Sequence, residues 1–142
     1  MSQPHITTVL LKSGAVLDLS CENIPAAYTV ALGTQKNLYM EGGEIHASAS
    51  GGQILNRGID AYEFIIKKGS HAIVEAESGP TGEVTSNYTA VWSAAISVYT
   101  LLVEEESGAV ITAAATSGAY GTANAYGIEL RNNGEIKSGT IT

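Results

Sequence analysis

The chain has 142 residues, enough for one domain with its own core, and residues 1–142 read as a single unit. Fourteen acids against seven bases give a formal charge of −7, which disfavours nucleic acid or an anionic membrane surface as a partner, because both need a basic footprint. No apolar run reaches the roughly 18 residues of a membrane span, and the single cysteine, Cys21, excludes an internal disulfide.

Strand-like patterns follow one another along the chain. Ile6 to Leu11 is rich in β-branched residues, Lys12-Ser13-Gly14 marks a turn, and Ala15 to Leu19 alternates again. Cys21 continues that alternation as a small apolar residue. Ala27 to Leu32 alternates and breaks at Gly33-Thr34-Gln35-Lys36. Asn37 to Glu41 and Glu44 to Ala49 are set apart by Gly42-Gly43. Ala61 to Ile66 and His71 to Ala76 flank a turn at Lys67-Lys68-Gly69-Ser70. Ser78-Gly79-Pro80-Thr81-Gly82 has loop chemistry. Further strands are predicted at Glu83 to Thr85, Tyr88 to Val91, Ile96 to Val103, Ala109 to Thr112, Glu135 to Lys137 and Thr140 to Thr142. Alanine favours helix around Ser93-Ala94-Ala95 and Ala113-Ala114-Ala115, yet no apolar stripe at helical spacing lasts beyond a turn, so little helix is expected.

An Ala-Tyr dipeptide opens three of these runs, at Ala27-Tyr28, Ala61-Tyr62 and Ala125-Tyr126, with Val98-Tyr99 near the place of a fourth. The pattern predicts a degenerate repeat of roughly 27–37 residues whose short strands stack level upon level, since one level cannot bury its own apolar face. The expectation is an all-β solenoid of stacked coils, with Tyr28, Tyr62, Tyr99 and Tyr126 in one ladder. Alternation and glycine-rich turns also suit an antiparallel β-sandwich or jelly roll, the competing fold.

The stretch from Ala125 to Thr142 carries a Gly-Ile strand, Asn-Gly, Ile and Gly-Thr-Ile in succession. It resembles the repeat of bacterial autotransporter passenger domains and related right-handed parallel β-helices, over these residues and in part over 61–84 and 95–124. The resemblance implies a right-handed parallel β-helix (β-solenoid) of about five coils. Proteins of that type are mostly surface adhesins, phage tail parts or polysaccharide-active proteins, and the fold does not choose among them. An extracellular or virion-surface setting follows from the likeness, although Met1-Ser2-Gln3-Pro4-His5 lacks the basic start and apolar stretch of a secretory leader.

Chemistry is sparse. Carboxylate pairs suited to polysaccharide hydrolysis are Glu41 with Glu44, Asp60 with Glu63, Glu75 with Glu77, and the run Glu104-Glu105-Glu106. Residues two apart on a strand share a face, so Glu75 and Glu77 are expected to project together. His5, His46 and His71 match no zinc spacing, with His46 and His71 about one repeat apart. No nucleophile elbow or phosphate loop is present, and no catalytic residue, cofactor or metal is assigned. Tyr88 and Trp92 are the candidate binding residues for a cell-surface glycan or a partner protein. The function expected is non-enzymatic: a structural, self-assembling homo-oligomer or filament. A surface adhesin or glycan-binding module ranks next, and a polysaccharide-degrading domain third. Strands alternating up to Thr142 present an edge that invites pairing with another subunit.

Overall fold

The computed structural model describes residues 8–22, 27–80, 90–117 and 122–142. The elements are β1 (Thr8–Leu11), β2 (Val16–Cys21), β3 (Tyr28–Gly33), β4 (Asn37–Met40), β5 (Glu44–Ala49), β6 (Leu55–Ile66), β7 (Ile73–Ser78), β8 (Ala90–Val103), β9 (Val110–Ala115), β10 (Thr122–Ile136) and β11 (Thr140–Ile141). Alternation does the work expected of it. In β5, Ile45, Ala47 and Ala49 are buried while Glu44, His46 and Ser48 face outward. The alanine-rich segments lie inside β8 and β9, where Ala94 is paired on both sides and Ala113 to Ala115 along β7, and this pairing outweighs alanine's helix preference.

Two sheets form, and the chain alternates between them. Sheet 1 runs β1–β4–β6–β8–β10, with β3 also paired to β6; sheet 2 runs β2–β5–β7–β9–β11. All pairings among the described strands are parallel. This sets aside the antiparallel sandwich or jelly roll. In sheet 1 the partners are offset by 29 residues at Thr8 and Asn37, 26 at Asn37 and Glu63, 37 at Glu63 and Thr100, and 33 at Thr100 and Asn133. In sheet 2 they are offset by 28 at Val16 and Glu44, 29 at Glu44 and Ile73, 37 at Ile73 and Val110, and 30 at Val110 and Thr140. Successive stretches of about the expected repeat length therefore lie one above another, and each is called a level below.

Sheet 1 bends. In β6, Ile59 and Ala61 are buried, followed by Phe64 and Ile66. A straight strand keeps a period of two, so the three-residue step from Ala61 to Phe64 marks a change of direction at Tyr62-Glu63. β8 repeats the step between Val98 and Leu101, and the register of β10 shifts between Leu130 and Asn133. On an earlier level the chain leaves the sheet at this place, where Thr34–Lys36 separates β3 from β4. Sheet 1 thus has a leading arm before the bend and a trailing arm after it.

Parallel register puts like above like inside. Leu32, Ile59 and Ile96 form one buried column; Leu11, Met40, Ile66 and Val103 form another; Ile45, Val74 and Ile111 a third, capped at one end by the half-buried Leu17. Each buried aliphatic side chain contributes roughly 1.5–3 kcal/mol. Small residues mark a narrow waist. Ala47 and Ala76 of sheet 2 face Gly58 and Ala95 of the leading arm. A Cβ on Gly58 would lie 2.7 Å from the Ala95 carbonyl oxygen, 2.8 Å from that of Glu77 and 3.0 Å from that of Ala47. Only glycine lets the two sheets come this close.

Where sheet 2 turns into the leading arm, a buried polar clamp replaces apolar packing. Thr29 Oγ1 donates to Asn56 Oδ1 at 2.6 Å, the Gly52 amide donates to the same oxygen at 2.7 Å, and Asn56 Nδ2 donates to the Gly52 carbonyl at 3.2 Å. Thr29, Asn56 and Ser93 are level with one another, so the clamp spans three levels.

Candidate interaction surfaces

Trp92 is exposed on β8 and level with Leu55 of β6 and Tyr28 of β3. These three side chains make an apolar stripe across the outer edge of the leading arm. Tyr88, the other predicted binding residue, lies outside the described residues. The ladder of four tyrosines is a correction. Tyr62 and Tyr99 stack at the bend, with ring centroids 4.7 Å apart and planes 7° from parallel. Tyr28 is level with Leu55, and Tyr126 with Ala94, so neither joins them. Register follows the buried columns, and the Ala-Tyr dipeptides fall at different distances from the bend.

On the leading arm, charged residues from separate levels close over small ones. Arg57 on β6 pairs with Asp60 at 2.9 Å and reaches Glu129 of β10 at 3.7 Å. Arg131 of β10 reaches back to Asp60 at 3.0 Å and to the Ala61 carbonyl at 3.3 Å. These contacts pass over β8, whose outward residues there, Ala94 and Ser97, are buried beneath them. Ser97 completes the clasp by donating to Glu129 at 2.6 Å. Asp60 is thus held by two arginines, while Glu63 sits at the bend, level with Asn37 and Thr100.

The outer face of sheet 2 is acidic. Glu75 and Glu77 project together, as the period of two requires. His46 stands between carboxylates, with Nδ1 2.8 Å from Glu75 and Nε2 3.3 Å from Glu44. The hydrogen bond to Glu75, then that to Glu44, raises the imidazole pKa above its ordinary 6.5, against slight desolvation. His71 does not approach His46. It occupies the following corner with φ of 48°, while Glu75 is the residue level with His46. Among the described residues, no group of three histidine, cysteine, aspartate or glutamate side chains is arranged to hold a metal ion.

Two features escaped the sequence reading. The first is a charged column at the corner between the trailing arm and sheet 2. Leu11, Met40, Ile66, Val103 and Ile136 are level, so the next residues, Lys12, Glu41, Lys67, Glu104 and Lys137, succeed one another up the corner. The signs alternate at each step. Lys67 Nζ meets Glu104 at 2.8 Å, and the Lys68 amide donates to the other Glu104 oxygen at 2.8 Å. Lys67, then the Lys68 amide, lowers the Glu104 pKa below its ordinary value, and Lys137 acts in the same direction through space. The signal was present as an aliphatic residue, a charge and a nearby glycine: Leu11-Lys12-Ser13-Gly14, Met40-Glu41-Gly42, Ile66-Lys67-Lys68-Gly69, Val103-Glu104 and Ile136-Lys137-Ser138-Gly139.

The second feature is the upper level. Leu130 continues the column of Ala61 and Val98, Ile136 that of Ile66 and Val103, and Ile141 that of Val74 and Ile111. Their predecessors are at most 1% exposed, yet Leu130 is 43%, Ile136 48% and Ile141 38% exposed. Among the described residues, β10 and β11 have partners on one side only. Core side chains and backbone pairing groups therefore face outward together. No helix of the described residues is long and apolar enough to cross a membrane. No family model matches this chain, and comparison with curated proteins and with solved structures finds no match.

Proposed function

We propose that the chain is a structural, self-assembling β-solenoid in which the two parallel sheets wind as a right-handed coil of about five levels. Winding of this hand is favoured by the near-universal right-handedness of parallel crossover connections. The observation that carries the reading is the upper level, where Leu130, Ile136 and Ile141 extend buried columns into an exposed edge. An edge with unpaired amides and carbonyls and an apolar interior is a template for further strands. A second copy of the chain supplies them, giving a fibre or an oligomer. Sedimentation velocity across a concentration series tests this, with negative-stain microscopy of the concentrated sample. Association is expected to rise with concentration and to be lost in I136K. A clean monomer at every concentration overturns the reading.

A second reading, glycan binding, is supported by Trp92, Tyr28 and Tyr126, which are exposed on the leading arm, where rings on a rigid sheet suit sugar stacking. Binding to a glycan array that disappears in W92A would support it; an array with no signal would remove it.

A further inference from the structure

We infer that the second copy docks head to tail, its β1 and β2 continuing the trailing arm and sheet 2 above β10 and β11, and that this junction is held weak by two facing lysines. The inference rests on the self-assembly proposed above and adds its register and its control.

The lower edge suits the upper one. Among the described residues, β1 pairs only with β4 and β2 only with β5, so both have a free side. Leu11 begins the column that ends at Ile136, and Leu17 begins the column that ends at Ile141. Setting β1 of one copy on residues 133–136 of another, in the register used inside the molecule, places Leu11 on Ile136. Setting β2 on β11 places Leu17 on Ile141. Two aliphatic columns then run through the junction unbroken, and the parallel direction of every strand is kept. An end of one kind meets an end of the other, so the contact is heterologous and repeats without closing.

The same register fixes the charges. The corner column holds Lys12, Glu41, Lys67, Glu104 and Lys137. Alternation over an odd number of members leaves lysine at both ends. Head-to-tail docking brings Lys137 of one copy against Lys12 of the next, about 4.8 Å away along the stack. Inside the molecule every step of the column is attractive; at the junction it is repulsive. Within its own copy each lysine has acidic neighbours, Glu41 one level above Lys12 and Glu104 and Glu135 beside Lys137, so the repulsion is confined to the step between the two copies. A like-charge contact at that distance in water weakens association roughly fivefold, and salt near physiological strength screens part of it.

Charge reversal of the full chain tests this, read by sedimentation velocity at low and at high chloride, with thermal melts to show that each variant folds. K137E and K12E each turn the junction into an opposite pair. Each is expected to associate roughly twentyfold more tightly than the wild type at low salt, because the repulsion is lost and an equal attraction takes its place, with the gain shrinking at high salt. The double variant K12E/K137E restores a like pair and is expected to fall back to wild-type strength or below. Tightening by K137E alone, with K12E inert, indicates two upper edges meeting and overturns the head-to-tail register. No response to either single variant in a wild type that does associate also overturns it, while the self-assembly reading stands. A wild type that is monomeric in all salts removes both.

Discussion

Gly58 shows how one residue sets the cross-section. Its hypothetical Cβ meets three carbonyl oxygens from three different strands, none of them on a movable side chain. Those carbonyls are fixed by sheet pairing, so a methyl group is accommodated only by forcing the leading arm away from sheet 2. Gly58→Ala is therefore expected to cost about 1–3 kcal/mol, the range for overpacking a well-packed core. Urea denaturation checks this, with Gly69→Ala as a contrast. Gly69 has open space around it, and its only penalty is a left-handed backbone at φ of 68°. Equal losses in the two variants would refute a steric origin at Gly58. In the sequence, Gly58 is an unremarkable glycine between Arg57 and Ile59. Its role depends on contacts with residues 47, 77 and 95, which no local pattern reveals.

At the scale of the element, strands were the legible part. Alternation located β5, β7 and β9 because one face of each is buried and the other is wet. Together with the Ala-Tyr spacing it also gave the approximate repeat length, since the offsets between paired strands span 26 to 37 residues. What it missed was the bend inside β6 and β8, where the period of two is broken by one residue within the predicted strands Ala61 to Ile66 and Ile96 to Val103, and the stretch from Leu55 to Asp60 that β6 adds before it. The Ala-Tyr dipeptides misled for the same reason: Tyr62 and Tyr99 sit at the bend, while Tyr28 and Tyr126 sit elsewhere on the leading arm. Neighbouring strands also set the chemistry of His46, which meets Glu75 only because β5 and β7 pair in this register. Two carboxylates on two ring nitrogens are best satisfied when both nitrogens donate, which is the protonated imidazolium. The folded pKa is raised, so this contribution to stability is fully present below the unfolded value of 6.5 and is lost as pH rises through the folded value. Thermal stability is accordingly expected to increase as pH is lowered from above that folded value to just below 6.5. Glu75→Gln is expected to flatten the slope and to lower the His46 pKa seen by proton NMR. An unchanged His46 titration in Glu75→Gln would show that the contact does not persist in solution.

Across the whole molecule, stability is expected to be distributed level by level, because each paired strand meets those directly above and below it through the same few columns. Interior levels have two neighbours and the upper level has one. Ile96 is packed between Ile59 and Ile128 and is fully buried, whereas Ile141 rests on Ile111 alone and is more than a third exposed. A cavity at Ile96 interrupts the column between levels that all the rest depend on, while a cavity at Ile141 loosens only the end. Ile96→Ala is expected to cost about 2–5 kcal/mol and to lower the amide protection of β6, β8 and β10 together. Ile141→Ala should cost well under half as much, with the loss of protection confined to β9 and β11. The clasp from Arg131 to Asp60 ties the upper level back across β8, so the leading arm of β10 should keep its protection in the Ile141 variant even as β11 frays. Hydrogen exchange followed strand by strand distinguishes this gradient from a single cooperative core. If Ile141→Ala strips protection uniformly from all strands, nearest-neighbour stacking is not what holds this chain together.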